Sequence, residues 1–248
     1  MIALIAAVPL ETELLRQTLS PWEVRHCAGY DLFQGSYAGH SIGLLHCGVG
    51  KVNAGAAAKA LIISCAPQLM ISFGCGGAYP GAGLHPGDLA LATEEIYGDE
   101  GVLTPSGFFD MEAIGFPLVR RAGTAFFNRF PLTTPLVEHA FPLLKALSDR
   151  RGCHCAAGPF ITVSTCSGTL AAGLAMEERT GGICENMEGA AIAHVCRLHD
   201  TPFLEVRGIS NLTEDRDLST WDLRGAASIA QQGVLALLEN RPERDISA

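Results

Sequence analysis

The sequence is short of charge and has no excess of basic residues. Only 17% of its 248 residues are charged, and 17 Lys and Arg stand against 26 Asp and Glu, for a net charge of −9. A nucleic-acid-binding protein needs clustered basic side chains to neutralise phosphates. A disordered chain needs far fewer apolar residues than the 48% found here. These shortages exclude both classes and predict a folded protein with no nucleic-acid partner.

Long apolar runs are also missing, since a membrane span needs about 20 nearly uncharged apolar residues. The first ten residues are apolar, but no positive region precedes them. Glu11 and Glu13 follow where a signal peptide would carry small residues at its cleavage site. We therefore expect a buried first strand in a cytoplasmic protein with no membrane partner.

The familiar cofactor and metal motifs are incomplete. Residues 48–51 (Gly-Val-Gly-Lys) lack the earlier glycine and the final Ser or Thr of a phosphate-binding loop, because Leu45 and Val52 occupy those positions. Tyr79 stands where a dinucleotide fingerprint beginning at Gly74 would have its third glycine. The eight histidines include no H-E-x-x-H pair. The sequence predicts neither a bound cofactor nor a metal site.

The nine cysteines are an odd number, and most lie inside apolar runs, as Cys47, Cys65 and Cys196 do. Free cysteine behaves as a small core residue, so we expect reduced thiols. Cys153 and Cys155 form one local cluster, which lacks a second ligand pair at zinc-site spacing. We interpret this cluster as structural.

Strands and helices alternate along the chain. This pattern predicts one α/β domain over residues 1–248, with a central mixed β-sheet flanked by helices. Residues 98–131, rich in Gly, Pro and Phe, are expected to leave the sheet. The predicted strands are 2–8, 31–37, 41–47, 69–73, 88–96, 159–163 and 202–209. The predicted helices are 52–64, 135–147, 168–179, 188–199 and 222–238.

Polar side chains stand at three junctions of this pattern. Glu11 follows the first strand, Glu188 begins a helix, and Asn211 follows strand 202–209. Ligands bind α/β sheets at the carboxyl ends of strands, so these side chains are expected to face one crevice. Simpler roles stay open: a charge in a helix's first turn for each Glu, and a chain turn for Asn211.

Five segments in a fixed order resemble the nucleoside phosphorylases and nucleosidases: residues 2–15, 47–54, 73–78, 185–191 and 206–211. The resemblance covers nearly the whole chain. It implies a nucleoside phosphorylase-like fold, a small-molecule nucleoside substrate, no cofactor, and a homodimer or larger homo-oligomer. It also implies cleavage of an N-glycosidic bond, which passes through an oxocarbenium-like sugar.

Catalytic and substrate-binding roles follow from the resemblance, position by position. Glu11 is implied as the general base on the attacking water, with Arg207 helping to hold that water. Arg207 lies in an apolar strand, so a buried ion pair with Glu205 is an alternative. Asn211 is implied as the residue that recognises the base.

The implied sugar and base contacts lie elsewhere in the chain. Glu188 would bind the ribose 2′- and 3′-hydroxyls, since a carboxylate can accept two hydrogen bonds at once, and Met187 would pack on the sugar. Gly76 and Gly77 belong to the substrate-binding strand end. Phe160 matches the base-stacking position, with an ordinary core position as its alternative.

Water is expected as the nucleophile. Related phosphorylases carry an Arg around residues 73–77 to bind phosphate, and this chain has none there. Arg120 and Arg121 lie in a different segment. The family resemblance therefore points to a hydrolase.

The base preference depends on Asn211, since adenine-specific members carry Asp there. An Asn amide can donate to N7 or O6 of a 6-oxopurine. The chain is also similar to the branch of the family that hydrolyses futalosine, on the futalosine route to menaquinone. The local matches that carry this similarity are residues 97–102, 114–118, 162–165, 209–211, 216–217 and Trp221.

Three further questions stay open. Phe108, Phe109, Phe116 and Phe126 form either an apolar pocket for the aromatic 5′ group of futalosine, or local core and subunit interface. A methylthioadenosine/adenosylhomocysteine nucleosidase, or another purine nucleosidase, is the same-class alternative. The alternative from a different class is a nucleoside-binding sensor without turnover. Glu11 argues against it, because a protein that only binds a nucleoside needs no general base.

Overall fold

The protein was analysed as a computed structural model, which describes residues 1–19 and 22–241. The predicted domain also includes residues 20–21 and 242–248, which lie outside the described residues. The helices of the described part are α1 Glu13–Thr18, α2 Lys51–Cys65, α3 Thr134–Arg151, α4 Leu170–Thr180, α5 Gly189–Leu198 and α6 Leu223–Glu239. The strands are β1 Ile2–Ala6, β2 Glu23–Cys27, β3 Tyr30–Tyr37, β4 His40–His46, β5 Leu69–Ala78, β6 Leu89–Tyr97, β7 Gly101–Thr104, β8 Gly107–Asp110, β9 Val119–Arg121, β10 Thr124–Phe126, β11 Arg129–Pro131, β12 Cys155–Thr162, β13 Cys184–Asn186 and β14 Phe203–Leu212.

The main sheet is mixed and has the strand order β11-β6-β12-β13-β5-β1-β4-β3-β2, with β14 joining β5 to β6. Strand β1 is buried along its whole length and runs parallel to both β4 and β5. A strand covered on both faces reads as a continuous apolar run, which is why this one was predictable from the sequence. The predicted α/β fold with a central mixed sheet is confirmed.

Five strands close into a ring. Strand β6 pairs with β12, β12 with β13, β13 with β5, β5 with β14, and β14 returns to β6. Closure brings side chains from distant parts of the chain into one enclosed space. This ring supplies most of the residues of the site described below.

Several predicted strand bounds were wrong. Strand β12 begins at Cys155, four residues before its predicted start, and β11, inside the segment 98–131 that was expected to leave the sheet, pairs with β6. Strand β5 continues beyond Phe73 through the glycine-rich segment to Ala78, and β14 continues through Asn211 to Leu212. The glycines belong inside β5 because its neighbours approach closely: a Cβ at Gly76 would lie 2.5 Å from Cys184 Sγ. Asn211 therefore lies within a strand, beside an irregularity in the β5–β14 register.

The helices pack in two groups. Helices α3 and α6 contact each other and strands β5, β6 and β14, while α2 packs on α5, which lies against β6 and β12. Within the part of the chain that the structure describes, we find no helix with the length and apolar character of a membrane span. No disulfide joins the cysteines of the described residues.

Candidate active site

Glu11 lies in a short 3-10 turn, Pro9–Thr12, directly after β1, and is buried. Its Oε2 accepts hydrogen bonds from the backbone N–H groups of Ala7 (3.0 Å) and Val8 (3.2 Å). Its Oε1 accepts from the N–H of Cys75 (2.8 Å) on β5. The carboxylate is thus held against the ends of two neighbouring strands.

The protonation of Glu11 is set by opposing effects. Burial raises the pKa of this carboxyl above its ordinary value, although the charge of Arg207 and the N–H of Cys75 act in the opposite direction. A carboxylate whose pKa is shifted toward neutrality is a better proton acceptor at physiological pH. The turn after β1 therefore presents a group suited to general base chemistry.

Arg207 connects three parts of the site. Its Nε donates to Glu205 Oε1 (2.7 Å), its Nη1 to the carbonyl of Cys75 (2.9 Å) and its Nη2 to Glu188 Oε2 (3.2 Å). Burial by itself would lower the pKa of this guanidinium, but the surrounding carboxylates, led by Glu205, hold it well above the ordinary value. The ion pair with Glu205 that the sequence offered as an alternative is present, and it coexists with contact to Glu188.

Glu188 occupies the N-cap position of α5 and is buried. Its Oε2 accepts from Arg207, and its Oε1 accepts from the backbone N–H of Gly50 (3.0 Å), at the start of α2. The side chain does not cap its own helix. The first-turn charge offered as an alternative thus does not account for its orientation toward Arg207 and the residue 48–50 loop.

Gly74 is the point where the catalytic candidates converge. A Cβ at this position would collide with Glu11 Oε1 and would lie 3.0 Å from Arg207 Nη1. The bare backbone of residue 74 thus leaves room for both side chains to approach the same place. The structure brings together Glu11, Arg207 and Glu188, three of the side chains that the sequence singled out.

Asn211 is half-buried, and its amide has a defined orientation. Its Oδ1 accepts from the hydroxyl of Ser210 (2.7 Å), and one N–H of its Nδ2 donates to the carbonyl of Leu212 (2.9 Å). The second N–H of Nδ2 is left to donate. A Cβ at Gly77 would lie 3.2 Å from this Nδ2, so the glycine provides the space around the amide.

Of the other predicted substrate contacts, Met187 and Gly77 lie beside residues of the site, whereas Gly76 is needed for packing. Met187 is half-buried directly before Glu188, and Gly77 borders Asn211. Gly76 has a packing role, since Cys184 fills the space where its side chain would be.

Phe160 does not lie where a base could stack on it. The side chain is fully buried in the main hydrophobic core, and its backbone pairs with Glu95 on β6 and Cys184 on β13. The phenyl group of Phe160 is enclosed by the core on both faces, so neither face is open to a ligand. The base-stacking role was wrong, and the core alternative is correct.

The four phenylalanines of the 98–131 excursion do not form one pocket. Phe126 stacks on Phe130, with centroids 6.1 Å apart, and packs against the main core. Phe108 lies beneath the Arg179 guanidinium, 4.2 Å from ring centroid to Cζ, whereas Phe116 is 66% exposed. The excursion thus combines local core with exposed aromatic surface.

Two buried acids near the site, Glu185 and Glu95, were not predicted from the sequence. Glu185 accepts from the hydroxyl of Tyr79 (3.0 Å) and from the N–H (2.8 Å) and hydroxyl (2.7 Å) of Ser167. Glu95 and Glu205 lie behind Arg207. An acid inside an otherwise apolar strand is the signal that marks Glu95 and Glu205.

A search for ligands of a metal ion among residues 1–19 and 22–241 finds no group of three or more His, Cys, Asp or Glu suitably placed. Lys51, whose segment raised the question of phosphate binding, pairs with Asp99 and with Glu100 (3.0 Å). Its ammonium is thus occupied by two carboxylates.

Residues 1–240 match the sequence profile of the phosphorylase superfamily. The chain belongs to this superfamily. Among curated members, it is 34% identical over 194 residues to a futalosine hydrolase of Thermus thermophilus, covering 78% of this chain and 80% of the relative. It is 28% identical over 244 residues to a 5′-methylthioadenosine/S-adenosylhomocysteine nucleosidase of Tolumonas auensis, covering 96% and 98%.

Solved superfamily structures share the fold over nearly the whole length. The nucleosidase of Neisseria meningitidis in complex with methylthio-immucillin-A has a TM-score of 0.82 at 24% identity, covering 97% of this chain and 99% of that one. The nucleosidase of Colwellia psychrerythraea in complex with adenine has a TM-score of 0.81 at 25% identity, covering 96% and 93%. The predicted superfamily and its fold are confirmed.

Proposed function

We propose that this protein is an N-glycosidase that hydrolyses futalosine, releasing hypoxanthine and dehypoxanthine futalosine for menaquinone synthesis. The observation that carries the proposal is the approach of Glu11 and Arg207 to each other at Gly74, together with the hydrogen bond from Arg207 to Glu188. Asn211 lies further along the strand that carries Arg207. The 34% identity to a futalosine hydrolase supports the choice of substrate. The substrate class is a purine nucleoside, and the chemistry requires no cofactor.

Each side chain has a role in this proposal. Glu188 accepts the ribose 2′- and 3′-hydroxyls, and Met187 packs on the sugar. Glu11 removes a proton from water as it attacks the anomeric carbon, while the bond to the base breaks through an oxocarbenium-like sugar. Arg207 helps to hold that water, because it has N–H groups beyond the three that the protein uses.

The charge around Arg207 favours water over phosphate as the nucleophile. The guanidinium is already bonded to Glu205 and Glu188, and Glu11 lies beside it. A phosphate dianion placed here would meet three acids and one cation whose charge is already compensated. Arg121, the other candidate for phosphate binding, is paired with Asp200 elsewhere on the surface.

The orientation of Asn211 favours a 6-oxopurine base. Its oxygen accepts a hydrogen bond from Ser210, and one N–H of its Nδ2 is left to donate to a ligand. A donor matches N7 or O6 of hypoxanthine, both of which are acceptors. An ionised Asp at this position would place a second acceptor against O6.

Asn211→Asp tests this assignment of the base contact. We expect catalytic efficiency on futalosine to fall by about five- to a hundredfold, since two facing acceptors without a donor cost roughly 1–3 kcal/mol. Efficiency on the 6-amino analogue is expected to fall less or to rise. The measurement is the ratio of kcat/KM for the two substrates in both proteins. An unchanged ratio would mean that Asn211 does not recognise the base.

We further infer a cytoplasmic homodimer or larger assembly. Free thiols are typical of a reducing compartment. Val52 and Ile63 are 86% and 67% exposed on α2. Eleven positions apart, about three helical turns, they share one face beside the Gly50 contact to Glu188. Analytical ultracentrifugation tests the assembly, and a monomer at micromolar concentration would contradict it.

A further inference from the structure

Two carboxyl groups face each other inside the five-strand ring, behind the proposed active site. Glu95 on β6 and Glu205 on β14 are both 0% exposed. Gly189, the first residue of α5, lies against both: a Cβ there would collide with Oε2 of Glu95 and with Oε2 of Glu205. The absent side chain at residue 189 is what allows the two acids to approach each other.

The hydrogen bonds of this pair are incomplete if both groups are ionised. Glu205 Oε1 accepts from Arg207 Nε, but Glu205 Oε2 and both oxygens of Glu95 are buried without a donor. Burying one unpaired carboxylate is costly, and two that face each other add mutual repulsion. Arg207 compensates one negative charge here and also faces Glu188.

One added proton resolves these difficulties. On the basis of the function proposed above, we propose that Glu95 is protonated and donates to Glu205 Oε2, and that this singly charged pair positions Arg207 for the reaction. Each oxygen of Glu205 then accepts a hydrogen bond: Oε2 from the protonated Glu95, and Oε1 from the guanidinium of Arg207. Both acids are positioning residues, since they act through Arg207.

The surroundings of Glu95 agree with a neutral carboxyl group. The pKa of Glu95 lies well above its ordinary value, because burial and the neighbouring Glu205 both disfavour a second negative charge. Arg207 on β14 is the cation that opposes this shift. On β13, Asn186 turns its amide nitrogen away from α5, because its Oδ1 accepts three hydrogen bonds.

Asn186 also connects the pair to the ribose side of the site. Two of the donors to its Oδ1 are the backbone N–H groups of Glu188 (2.9 Å) and Gly189 (2.8 Å). Its Nδ2 is buried without a hydrogen-bond partner and lies close enough to Glu95 to oppose the rise in the pKa of that carboxyl group. The pair therefore contacts Arg207 directly and the Glu188 backbone through one amide. A disturbance at Glu95 is expected to reach both groups.

Two variants at Glu95 separate hydrogen bonding from packing. Glu95→Gln keeps the shape, and its amide can donate to Glu205 as the protonated acid does. Glu95→Met keeps a similar volume but leaves Glu205 Oε2 without a donor. We expect kcat/KM on futalosine to be at least about tenfold higher for Glu95→Gln than for Glu95→Met. Equal values in two folded variants would overturn the positioning role.

Infrared spectroscopy tests the proton itself and needs neither substrate nor a disruptive variant. Wild-type protein in D₂O at neutral pH should show the carbonyl stretch of a protonated, buried carboxyl group, and Glu95→Gln should lack it. Absence of the band from the wild type, or its persistence in Glu95→Gln, would overturn the shared proton. This result is independent of the substrate, so a failure of the futalosine assignment would be recognised separately by wild-type inactivity on futalosine.

Discussion

Replacing Glu11 with Gln is expected to lower the turnover of futalosine by about a hundredfold or more while leaving binding of the nucleoside largely intact. Gln is nearly the same size as Glu but cannot accept a proton from water. The ribose contact at Glu188 and the amide of Asn211 are untouched by the change. Calorimetric titration and a turnover assay on the same preparation separate the two effects.

The pH profile provides a second readout of the same group. A general base works only when deprotonated, so activity should fall as the pH drops through the pKa of Glu11, which burial raises above the ordinary carboxyl value. Glu11→Gln should remove this acidic limb from its residual activity. Glu13→Gln is the matched control, because Glu13 is exposed two residues away. Loss of binding together with turnover would show that Glu11 is structural.

Replacing Glu188 with Gln is expected to reduce kcat/KM about ten- to a hundredfold. The substitution removes a charged acceptor from the ribose hydroxyls, which costs roughly 1.5–3 kcal/mol. The Gln amide also has a single acceptor oxygen, whereas the two oxygens of Glu188 accept separately from the N–H of Gly50 and from Nη2 of Arg207. Kinetics of purified Glu188→Gln, with the exposed Glu178→Gln on α4 as control, give the measurement.

A substrate lacking the 2′-hydroxyl tests whether Glu188 acts on the sugar. With fewer ribose hydroxyls to bind, the wild type and Glu188→Gln should differ less on the 2′-deoxy analogue than on the ribonucleoside. The same reduction on both substrates would assign the loss to Arg207 and the surrounding packing, and would contradict the ribose contact. Unchanged turnover of the ribonucleoside would contradict it outright.

The sequence was informative where local chemistry and chain order sufficed. The buried first strand, the turn carrying Glu11 and the helix beginning after Glu188 follow from apolar runs and their polar ends. The short connection between the predicted strands 31–37 and 41–47 is a hairpin turn, in which Ala38 and Gly39 both have positive φ. Asn211 was placed near the other candidates, although it lies within β14.

The rest depends on tertiary structure that no local pattern contains. Phe160 and Glu95 are paired positions on β12 and β6, yet their spacing in the chain gives no sign of this. Closure of the ring buries Phe160 and brings Glu95 against Glu205. The glycines of β5 suggested a loop because their role, close approach of neighbouring strands, becomes visible only once the strands are assembled.

The most direct measurement of the proposed activity is incubation of purified protein with futalosine in phosphate-free buffer, followed by chromatography of the products. We predict equimolar hypoxanthine and dehypoxanthine futalosine, at a rate that added phosphate does not increase. A parallel incubation with methylthioadenosine should release far less adenine. Futalosine left intact while methylthioadenosine is cleaved, or hypoxanthine formed only when phosphate is present, would contradict the proposed hydrolysis of futalosine.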